Sequence, residues 1–190
     1  MKRFDFEEIL EITCRLYVFF FLNLYGLGKL IGGQFYTSAK IPEAIAIMPI
    51  GEVPDFELAW VFMGRSYGYM LFIGLAEIIG ACLLLFNKTK IIGTLILIPV
   101  MVNVIVFDIF FLDAYGALAS ATIYFLMLLT ILVINKEKIS KLLIELVSAK
   151  MTPQVSFKEK LIKYSIVLAI IVLIFIGDQI IVNFLGYGKG

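Results

Sequence analysis

Residues Ser66–Phe86 read SYGYMLFIGLAEIIGACLLLF, an apolar run broken by a single charge, Glu77. A helix needs about 20 mostly apolar residues to cross a bilayer, and this run has that length. A carboxyl group at mid-depth is costly unless it faces the interior of a bundle, and such a residue defaults to a functional reading. The run is therefore read as one helix among several, with Glu77 turned inward.

Four more stretches match it: Ile12–Phe35 before it, and Ile91–Leu112, Tyr115–Ile134 and Leu161–Leu185 after it. The composition agrees. The 190 residues are 62% hydrophobic and 16% charged, with mean hydropathy +1.02, whereas soluble domains carry about 25% charged residues. The expected fold class is an all-α polytopic membrane helix bundle with five spans. The bundle occupies 1–134, an interfacial helix 135–160, and the fifth span with a short outer tail 161–190.

The connections differ in character. Tyr36–Arg65 contains Pro42, Pro49 and Pro54, which forbid one long helix. With its apolar residues and acids, this segment reads as a partly buried cap on one mouth of the bundle. Trp60 and Tyr67 suit the interfacial aromatic belt. Asn87–Lys90 is a tight polar turn, and Asp113–Ala114 is so short that it implies an antiparallel hairpin. In Asn135–Lys160, Ile139, Leu142, Leu143 and Leu146 recur at helical spacing among lysines, which predicts an amphipathic helix in the interface, ended by Thr152–Pro153.

Basic residues gather on one side of the expected membrane. Lys2, Arg3, Lys88, Lys90 and the lysines from Lys136 to Lys163 share it, against Lys40, Arg65 and Lys189 on the other. The positive-inside rule then places the N-terminus in the cytoplasm and the C-terminus outside. The polar segment Met1–Glu11 precedes an apolar run too long for a signal-peptide core and without a convincing cleavage site, so the first span reads as retained.

Counted from the cytoplasmic ends at the helical rise, Asn23, Glu77 and Asn103 lie about 16, 14 and 17 Å deep. Lys29, Asp108 and Asp178 lie higher, at about 25, 25 and 22 Å. Arg15 enters at about 4 Å, within snorkelling reach of the inner surface. Opposite charge at matching depth predicts a Lys29–Asp108 ion pair. Glu77, with no basic residue at its level, is expected to stay neutral and donate a hydrogen bond, since burial disfavours the charged form. Asn23 and Asn103 are its expected partners, with Arg15 reaching up as the alternative. Such groups also serve as plain packing glue, at roughly 0.6 kcal/mol per hydrogen bond. Small residues at Gly26, Gly28, Gly74 and Gly80 permit close helix approach, and Pro99 predicts a kink four residues before Asn103.

Several chemistries are excluded. The chain has no histidine, so the commonest metal ligand and general base are missing, and no metal site is expected. Its two cysteines, Cys14 and Cys82, form no CxxC and read as small hydrophobes. A net charge of +1 gives no basic field for nucleic acid. The expected partners are the lipid bilayer and a membrane protein.

Three runs carry a family resemblance: Arg15 followed by Tyr25-Gly-Leu-Gly-Lys29-Leu30 and Gln34-Phe35; Gly74-Leu-Ala-Glu77-Ile-Ile-Gly80; and Met101-Val-Asn103-Val. Together, over about residues 12–134, they resemble the DoxX-like family of bacterial integral membrane proteins, in its longer form. The resemblance implies a four-helix core in the bacterial inner membrane, with Arg15, Lys29, Glu77 and Asn103 as matched residues. Many members have His where this chain has Tyr25, which argues against a His-dependent role. The resemblance further implies an accessory or redox-linked membrane subunit of sulfur or quinone chemistry. No cofactor motif is present, and a quinone or a lipid is the class of molecule an apolar bundle could hold. The ligand or proton site comprises Glu77, Asn23, Asn103, Arg15 and Tyr25, and no catalytic residue can be named. Two further readings stay open, a quinone- or lipid-binding oxidoreductase subunit and a proton-coupled transporter of small solutes.

Overall fold

The computed structural model describes residues 5–112, 115–148 and 156–185. These form eight helices and no strands: α1 (Phe6–Leu30), α2 (Glu43–Ala46), α3 (Asp55–Gly64), α4 (Tyr67–Leu84), α5 (Lys90–Phe111), α6 (Tyr115–Ile134), α7 (Lys136–Val147) and α8 (Phe157–Leu185). Five of them, α1, α4, α5, α6 and α8, are long and apolar enough to cross a membrane. The expected all-helical architecture with five spans is present, and the chain is a multi-pass membrane protein. The expected hairpin at Asp113–Ala114 and the stop at Thr152–Pro153 lie outside the described residues.

Helix ends follow local chemistry and move the sequence-derived boundaries. The first helix starts at Phe6 rather than Ile12, because the Asp5 carboxylate accepts the Glu7 amide at 3.1 Å and Glu7 and Glu8 complement the helix dipole. It stops at Leu30, short of Phe35. Gly32 takes a left-handed φ of 69°, and the Gly33 amide turns back to the Gly28 carbonyl at 2.9 Å. Pro42 and Pro54 stand as the N-caps of α2 and α3, so the cap segment is built from two short helices. Helix α5 runs unbroken through Pro99.

The chain divides into two compact units, Met1–Lys141 and Leu142–Gly190. In the first, α1 packs on α4, α4 on α5, α5 on α6, and α6 back on α1, closing a four-helix ring. Its core holds Val18, Leu22, Ala81, Leu84, Leu97, Leu128 and Ile131. Helix α3 packs on α4 and α5, where Phe35, Met63 and Met70 form a second apolar cluster with Trp60, Ile73 and Phe107. The outer surface of the ring is apolar: Phe20, Leu24, Phe72, Ile79, Leu95, Val106, Ile109, Leu126 and Val133 are all exposed. Water-facing proteins rarely show so continuous an apolar exterior, and lipid is its natural surroundings. In the second unit, α8 exposes apolar side chains all round, the pattern of a membrane span.

Glycine sets the helix spacing on both sides of α4. A Cβ on Gly26 would stand 2.9 Å from the Gly74 carbonyl oxygen, and one on Gly93 would stand 2.6 Å from that of Gly80. No lipid-water boundary drives these helices together inside the membrane, so backbone proximity and van der Waals contact hold them. Gly28 has nothing within 4 Å of its Cβ position. Gly93→Ala is therefore expected to destabilise the bundle by about 1–3 kcal/mol, while Gly28→Ala leaves it unchanged or slightly raised. Melting in detergent, followed by circular dichroism, compares the two; equal midpoints would show that the α4–α5 contact is loose.

Candidate functional site

Glu77 is 1% exposed and Lys29 6%. The Lys29 ammonium donates to both carboxylate oxygens of Glu77, at 2.9 Å to Oε1 and 2.7 Å to Oε2. The expected partnership of Lys29 with Asp108 is thus wrong, and Glu77 has the basic partner that the depth count denied it. The depth count treated side chains as if they stood level with their own Cα atoms. As that count assumed, α1 and α4 run antiparallel, since Arg15 meets Leu84 while Lys29 meets Glu77. In a helix every Cα–Cβ bond tilts toward the N-terminus, so Lys29 leans down and Glu77 leans up, and they converge. Gly74 completes the approach: a Cβ there would lie 3.3 Å from the Lys29 Cβ.

Arg15 does not snorkel and does not reach Glu77. It is 7% exposed and closes the opposite end of the bundle. Its Nε donates to the Leu84 carbonyl at 2.5 Å, Nη2 to the Leu85 carbonyl at 2.7 Å, and Nη1 to Asn87 Oδ1 at 2.7 Å. Those carbonyls belong to the last turn of α4, where acceptors lack helical partners and the dipole favours a cation. Glu11, one turn before Arg15 and 3.3 Å from it, also accepts from Lys90 at 2.5 Å and from Asn135 at 3.0 Å. The network joins α1, the end of α4, the start of α5 and the residue after α6. Sequence reading missed Glu11, although its spacing from Arg15 is that of a helical ion pair.

Between this clamp and the cap lies a cavity of about 140 Å³. Leu22, Met101 and Tyr124, members of the fully packed core, form its floor; Phe35, Trp60 and Met63 come from the cap segment. Lys29, Glu77 and Asp108 are the charged residues that line it. Tyr25 lines it too, with its ring centroid 6.0 Å from the Lys29 ammonium and 6.4 Å from the ring of Tyr124. The cavity is not sealed, because Tyr25, Asn103 and Ala117 line it and are exposed.

Asp108 is 5% exposed and belongs to no ion pair among the described residues. Its Oδ2 and the Oε1 of Gln34 are the buried side-chain oxygens without a hydrogen-bond partner among those residues, and both side chains line the cavity. Of the sequence-derived site, Glu77, Lys29, Tyr25, Asn103 and Asp108 meet at this cavity. Asn23 does not partner Glu77: its amide donates back to the Phe19 carbonyl at 2.7 Å, and its Oδ1 lies 3.8 Å from the Cys82 sulfur. Asn103 makes no hydrogen bond to Glu77 among the described residues, so the expected Glu77–Asn23–Asn103 trio is replaced by the Lys29–Glu77 pair. Asp178, on α8, is exposed beside Gln179. Among the described residues no group of His, Cys, Asp or Glu could hold a metal ion. Gln34 and the cap aromatics escaped a reading confined to charges in spans, because their place depends on the turn at Gly32.

A four-helix ring around a largely apolar cavity, with Lys29, Glu77 and Asp108 on its wall, defines this chain as a polytopic membrane helix bundle. It is 36% identical over 132 residues, 70% of its length and 80% of the relative's, to the protein named "Uncharacterized protein YwoB" of Bacillus subtilis (strain 168), and it belongs to that protein's family. No protein-family model matches the chain, and no solved structure matches it.

Removing one partner of a buried ion pair leaves an uncompensated charge, at a cost of about 3–5 kcal/mol, whereas replacing both with apolar residues is often near neutral. Glu77→Gln is expected to lose stability on that scale, and the Lys29→Met, Glu77→Met double variant to recover most of it. A double-mutant cycle in detergent checks this; additive losses would mean that the two side chains do not depend on each other.

Proposed function

We propose that this protein is a DoxX-like accessory or redox-linked subunit of the bacterial inner membrane, whose bundle cavity holds a small lipid-soluble ligand, a quinone or a lipid. One observation carries the reading: a cavity inside the four-helix ring collects three of the four residues the resemblance matches, Lys29, Glu77 and Asn103, with Tyr25 beside them, while Arg15 lies at the other end of the bundle. The resemblance rests on Arg15, the Tyr25–Leu30 run and the Gly74–Gly80 run, and in this fold those runs supply the α1–α4 seam. The excess of basic residues on one side supports a cytoplasmic N-terminus and an outer C-terminus; in that orientation the cavity faces the outer half of the membrane and the Arg15 clamp the inner surface.

The site fits a ring-sized head. Dry cavities of about 150 Å³ are known to take a single benzene ring, and the aromatic side chains of Tyr25, Phe35, Trp60 and Tyr124 offer faces for stacking. A quinone held there would supply two-electron redox capacity, while the chain itself supplies the pocket, the Lys29 ammonium and the opening beside Tyr25 and Asn103. With no histidine and no CxxC, the electron path belongs to a partner protein. A through-path for solute finds less support, because Val18, Leu84, Leu97 and Leu128 form a fully buried apolar cluster below the Leu22 floor of the cavity.

The protein purified from its membrane in mild detergent is expected to retain one quinone or lipid species above its bulk abundance, read by solvent extraction and mass spectrometry. Ala121→Phe, which fills the cavity from α6, should lower that species several-fold without preventing assembly. An extract with the composition of the bulk membrane would rule out the ligand, and turnover of a sulfur substrate with quinone by the isolated chain would rule out the accessory role.

A further inference from the structure

The charges at the cavity do not cancel. Lys29 and Glu77 neutralise each other through two short hydrogen bonds. Asp108 is then the one carboxyl group lining the cavity without an ion-pair partner among the described residues. Arg15 and Lys90 are committed to the clamp at the far end, Lys40 donates to the Gly32 carbonyl at 3.4 Å, and Arg65 lies 3.3 Å from Ser38 Oγ. A buried acceptor left without a donor is expensive and rare, and calls for an explanation. Here two such acceptors, Asp108 Oδ2 and Gln34 Oε1, line one cavity. Both are acceptors, so what completes them is a donor. The aromatic residues around them, Phe35, Trp60, Phe107 and Tyr124, suit a cation, which is attracted to ring faces.

We propose that the cavity binds a primary ammonium group carried on an apolar body, with its N–H groups donating to Asp108 Oδ2 and Gln34 Oε1 among the cap aromatics. This rests on reading the cavity as a ligand site and narrows that ligand to an amine or an aminolipid, because a quinone head offers acceptors and no N–H. A ring-sized cavity with an open side admits either a free aromatic amine or the head of an aminophospholipid whose chains remain in the bilayer.

Three probes of one shape separate charge from size: phenethylammonium, 2-phenylethanol and 3-phenylpropanoate, titrated against the full chain in detergent by calorimetry. The ammonium is expected to bind about tenfold or more tightly than the alcohol, the scale of one hydrogen bond to a charged group, and the carboxylate not to bind. Asp108→Asn should abolish the tenfold preference and leave the weak alcohol binding in place. Gln34→Leu should reduce ammonium affinity several-fold, a second measure should Asp108→Asn fail to assemble. Native mass spectrometry from nanodiscs of phosphatidylethanolamine or phosphatidylglycerol then separates the sources: selective retention of the ethanolamine lipid assigns the head group, and its absence beside phenethylammonium binding assigns a free amine. Equal binding of ammonium and alcohol, or undiminished ammonium binding by Asp108→Asn, would overturn the proposal. Those results leave a quinone found in the purified protein standing, while a bulk-like extract with a strong ammonium preference removes the retained quinone and lipid and leaves the free amine.

Discussion

Inside a hydrocarbon layer there is no water to satisfy a stranded polar group, so every charge on a spanning helix must find its partner in the bundle. The Lys29–Glu77 pair meets that constraint at one end of α1 and α4, and Arg15 on the α4 carbonyls meets it at the other. Two polar contacts so far apart on the same pair of helices fix both the register and the antiparallel sense of that pair. Gly26 and Gly74 face each other beside the Lys29–Glu77 contact, and their missing side chains let the backbones close in. The rest of the ring is assembled onto this seam: α5 meets α4 through Gly80 and Gly93, and α6 closes the circle.

The same constraint makes the cavity informative. Most of the polar side chains in the ring are satisfied within it, down to Glu11 accepting from Lys90 and Asn135. Against that background Asp108 and Gln34 stand apart, because their unpartnered oxygens are buried where satisfaction is most costly. The bundle thus separates a packed, fully bonded half around Arg15 from a half near the cap where space and unmet acceptors coincide. Binding is the natural use of the second half, and structural closure that of the first.

Much of the fold is legible from residue type alone. Spans over α4, α5, α6 and α8 follow from apolar length, the proline-rich cap from Pro42 and Pro54, and the inward polar set from the rarity of charges in hydrocarbon. The ends of α1 are less legible, because they depend on an Asp5 cap and a left-handed Gly32 that outweigh the hydropathy of residues 31–35. Among the site residues, Glu77, Lys29, Tyr25, Asn103 and Asp108 are identifiable as candidates, whereas their pairing is not. Depth along a straight helix is a one-dimensional measure, and it assigned Lys29 to Asp108 where a long, downward-leaning side chain joins it to Glu77.

By itself, then, the amino-acid sequence determined that this is a multi-pass helical membrane protein with a few costly charges held inside, because hydropathy and charge are properties of single residues and the bilayer acts on each separately. Only the tertiary structure decided which charge meets which, that Arg15 caps the end of α4, and that Asp108 has no hydrogen-bond partner for its Oδ2 among the described residues. Those outcomes depend on helix direction, side-chain tilt and the glycine contacts that bring α1 and α4 together, all of which are relations between distant residues.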